Sequence, residues 1–302
     1  MTALHSSVLS SSNPDSCIGF GGNQDDLLRS IAQVGTIAQP DIDRMSTELA
    51  PFLPCTEVNY PAFQNGSWKL LALLNNSGDP TDTTVREGKD VTSTPVLEAM
   101  PTVRRVIDEH FSAESIVLAR IARLAPGGKL WEHVDYTELD EAVPRRRFHI
   151  PLQTEREAVL VTHGNRIHMA LGGLFVLNPR GAHGVTHDGT QDRVHIIVDA
   201  QVDGENSFDD PYLNPVNVEP LALLTSEQID ATVEAMATMI SEGRADEAVA
   251  YGLNLFYTSR LPLGTSTHLM IAQAFAQTGD QVETQRWLDN NNLYMGGMFK
   301  HD

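Results

Sequence analysis

Three side chains between residues 131 and 199 could share one metal ion. His133 and Asp135 lie two apart in a segment that predicts a strand, and residues two apart on a strand point to the same face. His183 follows fifty residues further along the chain. Two imidazoles and one carboxylate, with coordination positions left open, are the ligand set of non-haem Fe(II) oxygenases. The same stretch holds seven of the eleven histidines, so the candidates for a metal site concentrate here.

Each of these residues also has an ordinary structural explanation. A His-x-Asp pair on its own is more often an exposed pair at the end of a strand than a metal site. His187 lies four residues beyond His183 and would share its face on a continuing strand, so periodicity alone leaves two candidates for the third ligand. His163, His168 and His195 are best explained as strand residues with hydrogen-bond partners.

Arginines near these histidines are candidate binding groups for carboxylates. Arg147 lies two residues before His149, so both side chains would face the same side of a strand. No Asp or Glu occurs between residues 144 and 153, and a buried guanidinium without a partner is costly. Unless a carboxylate arrives from elsewhere in the fold, we expect Arg147 to bind the carboxylate of a substrate. Arg120 and Arg123 are three apart on the preceding strand, so a regular strand points them to opposite faces.

The pattern from residue 115 onward predicts an antiparallel β-fold. Short runs of β-branched residues follow one another, with Gly-Asn, Gly-Gly and Asp-Gly pairs between several of them, as tight turns require. No helical pattern separates the runs, which argues against a doubly wound sheet and favours a sandwich or barrel of jelly-roll type. The predicted strands cover residues 115–124, 130–135, 146–152, 158–163, 166–171, 174–178 and 193–199.

The flanking segments predict three parts of the chain. Residues 1–40 are expected to be a loose N-terminal arm, and residues 41–200 a β-domain preceded by its own short helices. Residues 201–302 are expected to be helical, after a polar linker over 203–220. The Thr225-Ser-Glu-Gln pattern is a capping box that opens the first of four predicted helices. This C-terminal region either packs on the β-domain or forms a homodimer contact.

Composition limits the partners and the compartment. The formal net charge is −19 at pH 7, whereas nucleic acids and anionic membranes bind clustered Lys and Arg, so neither is expected as a partner. No apolar run approaches the roughly 18 residues of a membrane span, and the first residues lack the basic and apolar parts of a signal peptide. With only two cysteines, Cys17 and Cys55, we expect a reduced, cytoplasmic protein.

Five motifs occur in an order that is shared with a known family. They are His-x-Asp at 133–135, Arg-x-His-x-Pro-Leu at 147–152, Gly-Gly-x-x-x-x-Asn at 172–178, His-x-Val at 183–185 and Arg-x-His-x-x-x-Asp at 193–199. Together they resemble the aspartyl/asparaginyl β-hydroxylase family of 2-oxoglutarate-dependent iron dioxygenases, which includes the bacterial proline cis-hydroxylases. The resemblance covers about residues 60–200, and the segment 63–78 resembles the N-terminal part of the proline cis-3-hydroxylases. It implies a double-stranded β-helix core, of cupin-like or jelly-roll type, with flanking helices.

The resemblance also implies roles for individual residues. His133, Asp135 and His183 match the metal ligands, and Arg193 matches the arginine that grips the distal carboxylate of 2-oxoglutarate. A guanidinium suits that task because it is planar, always charged and able to bind a carboxylate through two hydrogen bonds. The step of ten residues to Arg193 agrees with the family when it is counted from His183, and disagrees when it is counted from His187.

Three further positions match residues around the cosubstrate and the substrate. His149 matches a histidine near the other end of 2-oxoglutarate, and Arg147 matches an arginine that faces the substrate. Arg123, ten residues before His133, corresponds to an arginine of the proline cis-3-hydroxylases, with a surface position as the alternative. Phe175 departs from the pattern, because a tryptophan often stands after the glycine turn. The detail of the pocket is therefore left open.

The implied reaction uses Fe(II), 2-oxoglutarate and O₂ to hydroxylate an unactivated C–H bond. The expected substrate is an amino acid, free or within a peptide, with proline-like substrates first and Asp or Asn side chains next. A cupin-like metal-binding protein or isomerase would share the barrel and the histidines, but it would have no need for Arg193. A non-catalytic binding protein, with the helical tail as its interface, would tolerate the loss of Asp135. Iron-dependent release of CO₂ from 2-oxoglutarate discriminates among the three.

Overall fold

Two antiparallel sheets form the centre of the molecule in the computed structural model, which describes residues 24–55, 60–86, 90–136, 139, 143–202, 208 and 210–296. Its strands are β1 (Ile31–Thr36), β2 (Trp68–Asn75), β3 (Thr92–Ser93), β4 (Ile116–Leu124), β5 (Lys129–His133), β6 (Arg145–Gln153), β7 (Ala158–Thr162), β8 (Asn165–His168), β9 (Gly173–Leu177), β10 (His183–His187), β11 (Arg193–Gln201) and β12 (Val218–Pro220). Its helices are α1 (Gln24–Ser30), α2 (Gln39–Leu49), α3 (Pro95–Glu98), α4 (Pro101–His110), α5 (Ser226–Ser241), α6 (Ala245–Thr258), α7 (Thr267–Thr278) and α8 (Gln281–Tyr294).

The two sheets face each other across a shared apolar core. One sheet has seven strands in the order β1-β9-β6-β11-β4-β2-β3, and the other has five in the order β12-β8-β7-β10-β5. Leu70 and Ile197 of the first sheet and Leu160 and Val185 of the second belong to one buried cluster between them. Strands of alternating inward and outward side chains pack in this way. The prediction of a mainly antiparallel β-fold with flanking helices is confirmed.

The N-terminal helices cover the outer face of the seven-stranded sheet. Alternate residues of β4 divide between its two faces: Ala119 and Ile121 pack against α2 and α4, whereas Ala122 and Leu124 face the core between the sheets. The Glu48 carboxylate of α2 accepts hydrogen bonds from the first backbone N–H groups of α4, which have no partner inside their own helix. This layer fixes which side of β4 is turned toward the interior.

The C-terminal helices pack on the outer face of the five-stranded sheet. Phe256 and Tyr257 of α6 lie against Val159 and Val161 of β7, and the four helices share a second apolar cluster. The capping box predicted at Thr225 is present, with both of its hydrogen bonds, at the start of α5. Of the two roles expected for this region, packing on the β-domain is what the structure shows. Among the described residues, no helix has the length and apolar character needed to cross a membrane.

The structure corrects two predicted boundaries. The loose arm expected over residues 1–40 is wrong for residues 24–36, which form α1 and the edge strand β1 paired with β9; residues 1–23 lie outside the described part. The linker expected over 203–220 contains β12, which pairs with β8. Both strands lie at sheet edges, where pairing with a distant strand provides hydrogen bonds that no local sequence pattern reveals.

Candidate active site

A cavity of about 370 Å³ opens between the two sheets. Six of the seven residues expected to form a site line it: His133, Asp135, His183, Arg147, His149 and Arg193. The seventh, Arg123, does not. These six residues come from four segments of the chain, and the strand pairing explains how each one reaches the cavity.

His133, Asp135 and His183 form a compact cluster at one side of the cavity. His133 on β5 and His183 on β10 are direct partners in the antiparallel register, and their ring centroids are 4.3 Å apart. Asp135 lies just beyond the end of β5, where its backbone N–H donates to the carbonyl of Pro179 at 2.8 Å. Its carboxylate oxygens lie 3.9 Å from Nε2 of His133 and 3.4 Å from Nε2 of His183. One donor atom from each of the three residues lies within 4.8 Å of the others, so a single ion can reach all three.

Both imidazoles are oriented so that the same nitrogen faces the cluster. Nδ1 of His133 lies 2.6 Å from the carbonyl of Trp131, and Nδ1 of His183 lies 2.9 Å from the carbonyl of Gly181. A carbonyl only accepts hydrogen bonds, so each Nδ1 carries the proton and each Nε2 presents a lone pair toward Asp135. Histidine ligands are commonly held by such a hydrogen bond from their other ring nitrogen. The donor set therefore fits a divalent metal ion.

The electrostatics of the cluster place these groups in the protonation states that a metal requires. Burial, followed by the neighbouring His183, lowers the pKa of His133 to about 4. Burial acts to raise the pKa of Asp135, but the charges of Arg147 and His133 outweigh burial and hold that pKa well below its usual value. At neutral pH the His133 imidazole is neutral and the Asp135 carboxylate is ionised, as ligands must be.

His187 shares a strand with His183 but is not part of the cluster. It is fully buried at the far end of β10, where its Nε2 contacts the carbonyl of Gln191 and its Nδ1 accepts from the N–H of Gly189. Both ring nitrogens are thus used in a local turn. The structure places His183, and not His187, beside His133 and Asp135.

Arg193 is a buried guanidinium that faces the cavity. Its exposed fraction is 4%, and it makes no hydrogen bond or ion pair with any residue in the described part of the chain. Burial lowers its pKa to about 9. A buried charge of this kind is costly unless an anion neutralises it, and an anionic ligand in the cavity would offset that cost.

A histidine pair lies beside Arg193. Nδ1 of His149 and Nδ1 of His195 are 3.4 Å apart, and neither Nε2 has a partner among the described residues. Burial, with the charge of Arg193, lowers the pKa of both rings well below the ordinary value, so both are neutral. A hydrogen bond between two neutral Nδ1 atoms requires one donor and one acceptor, so the two rings carry opposite tautomers. His195 does not line the cavity itself, and its contact with His149 agrees with the expectation of a strand histidine that has a hydrogen-bond partner.

Arg147 is held by two carboxylates that arrive from elsewhere in the fold, the alternative that the sequence left open. Asp199 is its direct neighbour in the β6–β11 register and accepts from its Nε at 2.8 Å, while Asp135 accepts from its Nη1. Burial acts to lower the pKa of Arg147, but Asp135 and Asp199 raise it well above the usual value. Strand pairing brings Asp199 to Arg147 from 52 residues away.

Arg120, and not Arg123, reaches the cavity from β4. The register places Leu124 opposite Arg193, so residues 120, 122 and 124 share the interior face and Arg123 points away. Arg120 is 2% exposed; it donates to the second oxygen of Asp199 at 3.0 Å and to the carbonyl of Thr83 at 3.1 Å. Arg123 instead pairs with Asp192 at 2.6 Å on the other face. The structure therefore places Arg120, and not the expected Arg123, at the cavity.

Comparisons with known proteins identify relatives of this chain. A family model described as Aspartyl/Asparaginyl beta-hydroxylase matches residues 36–202. The chain is 26% identical over 209 residues to L-proline cis-4-hydroxylase of Rhizobium meliloti (strain 1021), covering 66% of this chain and 72% of that protein. It is 29% identical over 174 residues to L-proline cis-3-hydroxylase 2 of Streptomyces sp, covering 54% of this chain and 59% of that protein.

Solved structures resemble the chain more distantly. A 2OG-Fe(II) oxygenase family oxidoreductase from Burkholderia pseudomallei has a TM-score of 0.40 at 14% identity, covering 61% of this chain and 93% of that one.

Proposed function

Because this chain belongs to the aspartyl/asparaginyl β-hydroxylase family, we propose that it is an Fe(II)- and 2-oxoglutarate-dependent dioxygenase that hydroxylates a C–H bond of an amino acid. One observation carries the proposal: a His–Asp–His cluster lines the same cavity as a buried arginine that has no partner among the described residues. The two facing antiparallel sheets support a double-stranded β-helix as the core of the catalytic domain. The helical C-terminal region forms the second part of the chain.

The proposed metal ligands are Nε2 of His133, Nε2 of His183 and the carboxylate of Asp135. When bound, the iron carries the oxidation, and the protein supplies geometry and a dry pocket. The hydrogen bond from Arg147 to one oxygen of Asp135 orients the carboxylate. This carboxylate counts against halogenation, since halogenases of this chemistry lack it to make room for chloride.

Arg193 is the proposed anchor for the distal carboxylate of 2-oxoglutarate. A dicarboxylate would give this guanidinium a partner that the described residues do not provide, through two parallel hydrogen bonds. His149 lines the same cavity and has a free Nε2, which can donate to a cosubstrate oxygen in one of its two tautomers.

The substrate is proposed to be an amino acid bound through its carboxylate. Arg120 and Arg147 share a single buried carboxylate, Asp199, so this wall of the cavity retains positive charge when Asp135 is engaged by the metal. Nε of Arg120 has no partner in the described chain. The remaining lining includes aromatic and aliphatic side chains, which suit an apolar ring such as that of proline: Tyr60, Phe63, Trp68, Leu130, Leu177 and Ile197. Proline-like substrates are therefore placed first, and aspartate or asparagine side chains, free or in a peptide, next.

The test is a screen of the twenty amino acids for stimulation of CO₂ release from 2-oxoglutarate in the presence of Fe(II). One or more amino acids should stimulate release, and their esters and amides should not. Arg120→Ala should lose this stimulation, while the matched variant Arg123→Ala should keep it, because Arg123 points away from the cavity. Iron binding without any CO₂ release would favour a cupin-like metal protein. Equal hydroxylation of esters would favour a peptide or carrier-bound substrate.

Two expectations stay outside this test. A cytoplasmic location and a homodimer through the C-terminal helices are retained as predictions, to be checked by cell fractionation and by sedimentation of the purified protein.

A further inference from the structure

An irregularity in β5 turns His133 toward the cavity. The register pairs His183 with His133 and Val185 with Leu130, so two residues of β5, Trp131 and Glu132, lie opposite the single residue Gly184 of β10. This is a β-bulge. Leu130 and His133 both line the cavity although they are three apart. Regular alternation from Leu130 would point residue 132 inward and His133 away from the metal cluster.

Glu132 is held on the outer face of the sheet by the start of α7. Its Oε2 accepts from the backbone N–H and from the hydroxyl of Thr267, each at 2.8 Å, and the side chain is almost fully buried. His268 donates from Nε2 to the backbone carbonyl of Glu132 at 3.0 Å. Side chain and main chain of the same residue are therefore both bound by one helical turn.

The neighbours of Glu132 are fastened to the same helices. Trp131 packs into the apolar cluster of the C-terminal helices, and the N–H of Val134 donates to the carbonyl of Tyr294 at 2.8 Å. On β10, a Cβ at Gly184 would lie 2.9 Å from the carbonyl of Leu130 and 3.0 Å from the Phe256 ring. Both strands that carry the histidines of the cluster are thus backed by the helical region.

We propose that Glu132 is a positioning residue for the metal site: by tying the outer side of the β5 bulge to α7, it keeps His133 turned toward Asp135 and His183. The C-terminal helices then help to position a metal ligand, in addition to covering the five-stranded sheet. This inference rests on the proposed function, because it assumes that the cluster binds iron. Glu132 itself does not line the cavity.

The test compares full-length variants at Glu132 with a control in the same helical region. Glu132→Ala removes the acceptor that holds the bulge, and should weaken Fe(II) binding about tenfold to a hundredfold, as loss of a group that orients a ligand does. Glu132→Gln keeps an acceptor oxygen and should bind Fe(II) nearly as well as the unsubstituted protein.

The control is Val233→Ala on α5, which removes buried volume from the same helical cluster. It should lower the Tm while leaving Fe(II) affinity unchanged. Anaerobic titration measures the affinity, and the visible spectrum of the Co(II) form reports on the ligand geometry.

The outcomes separate this inference from the proposed function. An unsubstituted protein that binds no divalent metal would overturn both. Normal Fe(II) affinity and an unchanged Co(II) spectrum in Glu132→Ala would overturn the positioning role alone, and so would a loss that Val233→Ala reproduces at an equal drop in Tm. If Glu132→Ala does not fold, Thr267→Val carries the test, since it removes one of the two hydrogen bonds to Oε2. It should weaken Fe(II) binding a few-fold, and unchanged binding would again overturn the role.

Discussion

Two buried arginines line one cavity in opposite electrostatic states. Arg193 has no partner in the described chain, and burial lowers its pKa to about 9. Arg147 is nearly as buried, but Asp135 and Asp199 outweigh the effect of burial and raise its pKa well above the usual value. Each guanidinium comes from the interior face of a long strand of the seven-stranded sheet, so the difference lies in their neighbours and not in their type of position.

The difference distinguishes an arginine that stabilises the fold, Arg147, from one that we propose binds a ligand, Arg193. A guanidinium held by two carboxylates is part of the folded framework, and breaking its network leaves an uncompensated buried charge. A guanidinium without a partner costs the metal-free fold some stability, and that cost is offset only when an anion binds. The wall formed by Arg120, Arg147 and Asp199 therefore carries its own ion pairs, whereas Arg193 would gain a partner from the proposed cosubstrate.

The largest effect on activity is expected at the metal cluster, because the proposed roles of both Arg147 and Arg193 depend on a bound metal ion. His183→Ala should abolish Fe(II) binding and reduce turnover by several orders of magnitude, because the other two ligands cannot hold the ion alone. His187→Ala is the matched control from the same strand and should keep Fe(II) affinity. Anaerobic titration and CO₂ release measure both variants. A normal His183→Ala protein together with an inactive His187→Ala protein would transfer the ligand role to His187.

The second effect tests the buried ion pairs that Asp199 makes with Arg120 and Arg147. Asp199→Ala leaves Arg120 and Arg147 buried without their shared carboxylate, and should lower the free energy of unfolding by about 3–5 kcal/mol. Asp192→Ala, which breaks the half-exposed pair with Arg123, should cost at most about 1 kcal/mol. Urea denaturation of the metal-free variants measures both. Equal losses would mean that burial does not distinguish the two ion pairs.

The third effect tests the proposed binding of 2-oxoglutarate by Arg193. Arg193→Met should weaken 2-oxoglutarate binding by roughly 1.5–3 kcal/mol, about tenfold to a hundredfold or more, and should leave Fe(II) affinity near normal. Without ligand, the same variant should be at least as stable as the unsubstituted protein, because it removes an uncompensated buried charge. Titration of the Fe(II) form with 2-oxoglutarate and thermal unfolding are the measurements. A clear loss of stability would show that Arg193 has a structural partner after all.

The smallest expected effect is a pH dependence of the free energy of unfolding that comes from the two histidines beside Arg193. His149 and His195 have pKa values held well below 6.5 by burial and by Arg193. Below pH 6.5 the unfolded chain therefore binds more protons than the folded chain, and stability falls as pH falls. For these two residues the loss should be about 1 kcal/mol between pH 7 and pH 6. The buried Glu132 works in the opposite direction, because burial raises its pKa to about 7. Arg193→Met should show a smaller contribution from the two histidines, since part of the lowering of their pKa disappears; denaturation at several pH values tests this.

Several features of the site could be predicted because they depend on residue type and local order. His133, Asp135 and His183 follow one another in the spacing of the family, and Arg193 follows at the expected step. The C-terminal helices carried their own capping and periodicity signals, which is why α5 was expected at its observed start. The direction of the Arg123 side chain and the identity of the carboxylate that pairs with Arg147 could not be predicted in this way. Both depend on the register between strands that are far apart in sequence.

The sequence by itself determined the family, the antiparallel β-core and the types of side chain that meet in the cavity, since hydrophobic alternation and motif order are local properties. Only the tertiary structure decided which way those side chains point. The β5 bulge turned His133 inward where simple alternation would turn it out, and pairing of β6 with β11 brought Asp199 to Arg147. No strand pairing in the described part of the chain brings a carboxylate to Arg193. Strand register, bulges and buried charge partners arise from contacts between distant segments, and a local pattern holds no information about them.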